Sequence, residues 1–199
     1  MESQVAKAKR ETGPPEARRE ELALAAYGEI ARNGFEGLRT REVANAVGVN
    51  IATLHYYFPS KEDLIRAVIG HAMSRFQSTL AATGSAADRL RAHFQGLRRL
   101  SRQEPELFAV MGELMLRSAR DRSLAQVIGK TDTYWQGTLR TLIRDAQSEG
   151  TVPRNVDPEG MASVIVATLK GVYLLPVGAG PPAGVEKALR QLEDVLGLR

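Results

Sequence analysis

The 199-residue chain contains no cysteine, which excludes disulfide bonds, thiolate metal sites and cysteine nucleophiles. No apolar run reaches the roughly 18 to 20 residues that a membrane-spanning helix needs. The first residues also lack the apolar core of a secretory signal. We therefore expect a cytoplasmic protein without a membrane partner.

A large excess of charge is also missing. The 27 Lys and Arg side chains outnumber the 23 Asp and Glu side chains by four, which is the formal net charge of +4. Such a small excess does not by itself predict binding to nucleic acid, so any prediction of that kind must rest on local patterns.

The residues of common catalytic and cofactor sites are poorly arranged. His55, His71 and His93 are too far apart in sequence to match the spacing of a metal site. The glycines of residues 178–184 miss the spacing of a dinucleotide-binding loop, and the prolines among them oppose the helix that must follow such a loop. We therefore predict no enzyme activity, no metal and no cofactor.

Helical periodicity is the pattern that the chain does contain. Apolar residues recur three and four positions apart through most of its length, and no strand-like alternation persists. Glycine and proline interrupt the periodicity at residues 33–34, 150–158 and 176–184. The sequence therefore predicts an all-α protein.

Residues 34–64 predict two short helices joined by a tight turn. Thr40 is a suitable N-cap for a helix that runs to residue 47, because its hydroxyl can accept a backbone N–H. Gly48 supplies the turn, and Asn50 caps a second helix. Two such helices form the helix-turn-helix motif, whose second helix enters the major groove of DNA.

The end of this second helix is also marked in the sequence. Pro59 disfavours helix at the residue before it, and Ser60 then caps the next helix, with Asp63 in a capping-box relation. Ile51 and Leu54 are expected to pack inward. The outward positions of this segment are then Asn50, Ala52, Thr53, His55 and Tyr56.

These outward residues suit contact with DNA. Ala52 is small enough to let the backbone approach, and Thr53 offers a hydroxyl and a methyl group to base edges. His55 and Tyr56 can donate hydrogen bonds, and Lys61 adds a positive charge at a helix start. The aromatic run at 56–58 has an alternative interpretation as a core plug.

Residues 16–70 resemble the N-terminal domain of the TetR family of bacterial transcriptional regulators. The resemblance rests on Gly34-Phe35, on the segment from Thr40 to Val49, and on the run Thr-Leu-His-Tyr-Tyr-Phe-Pro-Ser-Lys-Glu-Asp-Leu at 53–64. The family most often has tyrosine where His55 stands. The resemblance implies DNA contacts by Thr40, Arg41, Asn50, Ala52, Thr53, His55, Tyr56 and Lys61.

The resemblance also implies a domain organisation and a function. Residues 1–15 are expected to form a flexible arm, 16–62 a three-helix helix-turn-helix domain that binds double-stranded DNA, and 63–199 a larger helical domain for effector binding and dimerisation. The implied protein is a homodimeric transcriptional regulator, a repressor that a small-molecule effector releases from a palindromic operator. The alternative is an architectural DNA-binding protein that needs no ligand.

Within the larger domain, apolar stripes on the last two helices predict a four-helix dimer interface. Its candidate residues are Val164, Ile165, Thr168, Leu169, Val172, Ala188, Leu189, Leu192, Val195 and Leu196. Large or adaptable side chains predict an effector pocket lined by Phe94, Phe108, Met111, Met115, Tyr134, Trp135 and Tyr173. For both sets the alternative is the chain's own core. Arg98, Arg99 and Arg102 are expected to form a solvated face.

Overall fold

The computed structural model describes residues 15–174 and 183–199, together with the side chains of all of these except 173 and 183–185. The predicted flexible arm therefore lies almost entirely outside the described residues. The same holds for the predicted connection at 176–184 up to residue 182, and for the side chain of the candidate pocket residue Tyr173.

All regular secondary structure in the described ranges is helical, which confirms the all-α prediction. We number the helices in chain order as α1 (Pro15–Gly37), α2 (Thr40–Val47), α3 (Ile51–Tyr57), α4 (Lys61–Gln77), α5 (Ala86–Gln103), α6 (Pro105–Ser118), α7 (Arg122–Ser148), α8 (Pro158–Tyr173) and α9 (Ala183–Val195). No helix within these ranges combines the length and the apolar character that crossing a membrane requires.

The chain divides into two compact units, one ending at His71 and the other beginning at Ala72. We call the described residues of the first unit the head and those of the second unit the body. The division falls inside α4, later in the chain than the boundary expected from the sequence at 62/63. The functional domain limits remain a prediction.

A glycine ends the regular part of α1. Gly34 has φ 67° and ψ 175°, a backbone conformation that side chains with a Cβ rarely adopt. The helix is therefore broken there, as its sequence predicts. The break turns the chain so that Phe35 and Leu38 are buried in the head.

The α2–α3 turn has the predicted glycine geometry. Gly48 lies in the left-handed region with φ 74°, and its N–H donates to the Asn45 carbonyl at 3.0 Å. The prediction that Thr40 caps α2 was wrong. Thr40 is the first residue inside the helix, and Arg39 occupies the N-cap position without a side-chain hydrogen bond.

Ion pairs attach α9 to α5 in the body. Arg98 donates to both carboxylate oxygens of the buried Glu193, at 2.6 and 2.8 Å, and Arg102 donates to Glu186 at 3.0 Å. The hydrogen bond to Glu193 raises the pKa of Arg98 although burial opposes it. The expectation that Arg98 lies on a solvated face was therefore wrong, while Arg99 is exposed.

Candidate DNA interface and effector site

The cap of α3 ties two candidate DNA contacts together. The Asn50 side-chain oxygen accepts the Thr53 backbone N–H at 2.8 Å and the Thr53 hydroxyl at 3.1 Å. Asn50 is therefore the N-cap that the sequence predicts, and it satisfies a backbone N–H in the first turn of α3. The helix then ends at Phe58, which is fully buried.

The outer face of α3 is open to solvent. Ala52 and His55 are exposed, and Tyr56 is 79% exposed with its ring edge-on to Tyr57 at a centroid distance of 5.1 Å. The core-plug alternative thus holds for Phe58 and not for Tyr56. The prediction that Ile51 packs inward was wrong, since this side chain is 37% exposed and Leu54 alone carries the inner face of the first turns.

A shallow groove of about 350 Å³ lies on this face. It brings together four of the candidate contacts and adds Arg18 of α1; its lining is Arg18, Val49, Asn50, Ala52, Thr53, Tyr56 and Tyr57. Arg18 was not among the predicted contacts. It also donates to Glu21 at 2.7 Å. No spacing rule identifies Arg18, because its place beside α3 depends on how α1 packs against the motif.

The remaining candidates lie at helix starts. Arg41 is exposed and Thr40 is half-buried at the beginning of α2. The Lys61 ammonium donates to the Leu38 carbonyl at 3.2 Å and lies 5.4 Å from the centre of the Phe35 ring. Lys61 therefore has a contact within the head that the sequence does not reveal, in addition to its expected contact with a phosphate.

Ser60 and Asp63 form a capping box at the start of α4. The Asp63 backbone N–H donates to the Ser60 hydroxyl at 3.1 Å, and this hydroxyl donates to the Asp63 carboxylate at 2.7 Å. The Ser60 hydrogen bond, aided by the charge of Arg66, lowers the pKa of Asp63 despite some desolvation. The residues after α3 thus adopt the arrangement that the Pro59-Ser60 stop predicts.

In the body, the structure brings together only part of the predicted pocket set. Phe94, Phe108 and Met111 are buried, whereas Met115 and Trp135 are half-buried. Tyr134 is 65% exposed and lies on the outer surface. The side chain of the seventh candidate, Tyr173, is not described.

Two residues outside the predicted set connect these rings. Phe76 stacks on Trp135 at 6.2 Å and meets the edge of Phe108 at 5.7 Å. His93 lies 5.7 Å from Trp135 and 6.3 Å from Phe94, measured between ring centroids. The result is an aromatic cluster formed by α4, α5, α6 and α7. His93 was considered in the sequence only as a metal ligand, and no local signal indicates its place here.

His93 is fully buried and belongs to a chain of hydrogen bonds. Trp135 Nε1–H donates to His93 Nε2 at 3.2 Å, so Nε2 carries no proton. The Thr79 hydroxyl donates to the Phe76 carbonyl at 2.6 Å, and its oxygen lies 2.6 Å from His93 Nδ1. Nδ1–H must then donate to Thr79. Burial lowers the pKa of His93 to about 4, which keeps the ring neutral, and the hydrogen bonds select this tautomer.

The predicted dimer stripe divides into two sets. The set buried in the chain's own core is Ile165, Leu169, Leu189, Leu192 and Leu196. The set left exposed or half-buried is Val164, Thr168, Val172, Ala188 and Val195. The outer face of α8 also carries Ala167 and Gly171, and Leu174 follows at its C-cap; all three are exposed. The candidate interface residues that remain accessible are therefore those of the second set, and the dimer interface itself remains a prediction.

Two family models match the chain and together cover most of it. Residues 23–68 match the model described as bacterial regulatory proteins, tetR family. Residues 86–198 match the model described as BetI-type transcriptional repressor, C-terminal. The first match spans the helix-turn-helix motif, and the second spans α5 to α9.

Individual proteins are similar over most of the chain. The nucleoid occlusion factor SlmA of Haemophilus influenzae is 26% identical over 80% of this chain and 74% of its own length. The HTH-type transcriptional regulator BetI of Rhizobium meliloti is 25% identical over 92% of this chain and 89% of its own. A transcriptional regulator of Saccharomonospora viridis, solved in complex with choline, has the same fold with a TM-score of 0.71 and 24% identity, over 91% of this chain and 95% of its own.

Proposed function

The chain belongs to the TetR family of bacterial regulatory proteins and is a transcriptional regulator with a helix-turn-helix DNA-binding domain, and we propose that it is a homodimeric repressor that a small-molecule effector releases from a palindromic operator. The observation that carries the proposal is the outer face of α3. Ala52, His55 and Tyr56 are exposed there, on a helix capped at its start and stopped at its end.

Homodimerisation is supported by the outer face of α8. Val164 is 50% exposed and Leu174 is 58% exposed, and the small residues Ala167 and Gly171 lie between them. Apolar side chains flanked by small residues allow two helices to pack closely. Two heads held by such a pair would read two half-sites on successive turns of the major groove.

Effector binding is proposed for the aromatic cluster of the body. The half-buried Trp135, which stacks on the buried Phe76, is the accessible ring of this cluster, and an indole face attracts a cationic ligand carried on an apolar frame. The structural neighbour that was solved in complex with choline makes choline a reasonable first probe. We therefore propose a quaternary ammonium compound as the class of effector.

The proposal is tested by selecting duplexes from a random pool and then adding the probe. The expected result is a palindromic sequence bound with nanomolar affinity, from which choline releases the protein. The uncharged carbon isostere of choline is the matched control and should not release it, because it lacks the cation that the rings attract. Enrichment of no sequence would contradict the proposed function. Release by both compounds alike would contradict the effector class alone.

A second candidate function is favoured by the similarity to a nucleoid occlusion factor. In this candidate the chain would bind DNA and need no small-molecule effector. Operator binding that withstands a broad panel of small cations and metabolites would favour it over the ligand-released repressor.

A further inference from the structure

The hydrogen-bond chain through His93 joins three separate elements of the body. Phe76 belongs to the last turn of α4, and Thr79 lies two residues after that helix ends. His93 belongs to α5, and Trp135 belongs to α7. The bonds from Trp135 to His93 and from His93 to Thr79 each join two different elements. The bond from the Thr79 hydroxyl to the Phe76 carbonyl joins the turn after α4 to the end of that helix.

Thr79 packs against α5 and cannot move without losing that contact. A Cβ added to Gly96 would lie 2.6 Å from the Thr79 Cβ, so the Thr79 segment rests directly on the backbone of α5. Thr79 and His93 are both buried. A shift of the segment would therefore break the Thr79–His93 bond and leave a buried N–H without an acceptor.

Every link depends on the next one. The Thr79 hydroxyl has one proton, which goes to Phe76, and so its oxygen can accept from His93. His93 can then accept from Trp135 only because its proton is on Nδ1. If one of these hydrogen bonds is lost, the remaining buried donors or acceptors are unsatisfied. The series of hydrogen bonds therefore has a formed state and a broken state, with few intermediate states.

The outer end of the chain is the accessible one. Trp135 is half-buried, whereas His93 and Thr79 are enclosed. A molecule that contacts the indole of Trp135, or replaces Phe76 as its stacking partner, will change the geometry of the N–H bond to His93. This series of hydrogen bonds therefore links the accessible indole of Trp135 to the end of α4.

We propose that His93 is a positioning residue that couples the state of Trp135 to the C-terminal end of α4, and thereby to DNA binding by the head, whose capping box begins the same helix. The inference rests on the proposed function as a DNA-binding regulator. It does not require that the effector be choline. It assigns His93 no contact with DNA or effector.

The test uses the fact that Trp135 is the sole tryptophan of the chain. Because coupling is reciprocal, binding of DNA to the head should alter the indole environment in the body. We expect the Trp135 emission maximum of the wild-type protein to shift when a selected operator duplex is added. A duplex of scrambled sequence at the same concentration should cause no shift.

Variants at Thr79 separate coupling from packing. Thr79→Val keeps the shape but removes the hydroxyl, and we expect it to lose most of the emission shift and to change operator affinity about fivefold or more. Thr79→Ser keeps the hydroxyl and should retain both wild-type properties. Ile143→Val, a buried change elsewhere on α7, is the packing control and should also retain both. If Thr79→Val does not fold, Thr79→Ala replaces it, since it lacks the hydroxyl and relieves the contact with α5.

The outcomes are distinguishable. An operator that binds without shifting the emission of Trp135 would overturn the coupling and leave the proposed function intact. The coupling is overturned in the same way if Thr79→Val or Thr79→Ala behaves like the wild type, or if Ile143→Val loses the shift to the same extent. Failure to find any specifically bound duplex would instead overturn the proposed function, and the inference with it.

Discussion

Most of the side chains proposed to meet DNA are exposed, and hydrogen bonds between residues three positions apart cap the helices that carry them: Asn50 with Thr53, and Ser60 with Asp63. The side chains proposed to sense an effector are mostly buried. Bonds between residues 14 and 42 positions apart place them: Thr79 with His93, and His93 with Trp135. The head therefore presents a surface set by local sequence, whereas the body presents an interior set by tertiary packing.

The two units should therefore respond differently to substitution. Substitution of an exposed α3 residue should alter DNA binding and leave folding intact, because that residue supports nothing beneath it. Substitution within the aromatic cluster should alter stability first, because several helices share the same contacts.

The largest effect is expected for Ala52→Trp on the outer face of α3. The bulky ring would hold the helix away from the groove, so operator affinity should fall to that for non-specific DNA, about 10³-fold or more. The unfolding midpoint should change little, since Ala52 is exposed. Fluorescence anisotropy with a labelled duplex measures the first quantity, and thermal unfolding measures the second.

Ala82→Trp is the matched control for this variant, because Ala82 is exposed in the loop between α4 and α5. It should bind the operator like the wild type. A similar loss of affinity in both variants would show that the outer face of α3 is not the DNA-reading surface.

Acid should destabilise the body through His93. Its pKa falls from 6.5 to about 4 on folding, because burial disfavours the charged ring and its neighbours Thr79, Phe94 and Trp135 carry no charge. At pH above 6.5 both states are neutral and nothing is lost. As the pH falls from 6.5 to 4 only the unfolded state binds the proton, so stability should decrease by about 3 kcal/mol.

Urea unfolding at about pH 7 and about pH 4.5 measures most of this loss. His93→Gln should lose much less stability over the same interval, whatever its stability at neutral pH. His71→Gln, which retains His93, should keep the dependence of the wild type. An identical acid response in all three proteins would mean that other groups cause it.

Two glycine substitutions should have opposite signs. In the body, a Cβ at Gly96 would lie 2.6 Å from the Thr79 Cβ, so Gly96→Ala should destabilise the protein by about 1 to 3 kcal/mol. In the head, Gly70 is exposed on α4 with nothing within 4 Å of its added Cβ. Gly70→Ala should stabilise by about 0.5 to 1 kcal/mol, because alanine is the better helix former. Thermal unfolding of both variants checks the signs, and a Gly96→Ala protein as stable as the wild type would contradict the packing described around Thr79.

The smallest effect concerns Lys61. If its ammonium group also meets a phosphate, Lys61→Gln should reduce the slope of log affinity against log salt concentration by about 1. If it serves only the Leu38 carbonyl, the slope should stay the same and stability should fall. Binding isotherms at several salt concentrations separate the two roles.

Most of the head could be predicted from the sequence. The glycine break at Gly34, the turn at Gly48, the Asn50 cap and the Ser60–Asp63 box each depend on residues within a few positions of one another. The sequence-based predictions were wrong or incomplete where burial depth or the packing of another helix determines the position of a side chain. Ile51 was assigned to the core although one inward residue, Leu54, suffices, and Arg18 was missed because α1 brings it to α3.

The body was predicted as helices but not as a site. Periodicity located α5 to α9, yet it does not tell which of two apolar stripes on α8 faces the core and which faces solvent. Ile165 and Val164 are adjacent in sequence, and only the first is buried. His93 was missed because its partners, Thr79 and Trp135, are brought to it by two other elements.

In the proposed function, two copies of the head read a palindrome together. Footprinting the protein on a selected duplex, with the mass of the complex measured in parallel, tests it most directly. The expected result is two protected half-sites related by a dyad, with centres about 34 Å or a multiple apart, and an even number of chains per duplex. Uniform coverage that spreads with protein concentration, or a single chain on a single half-site, would contradict it.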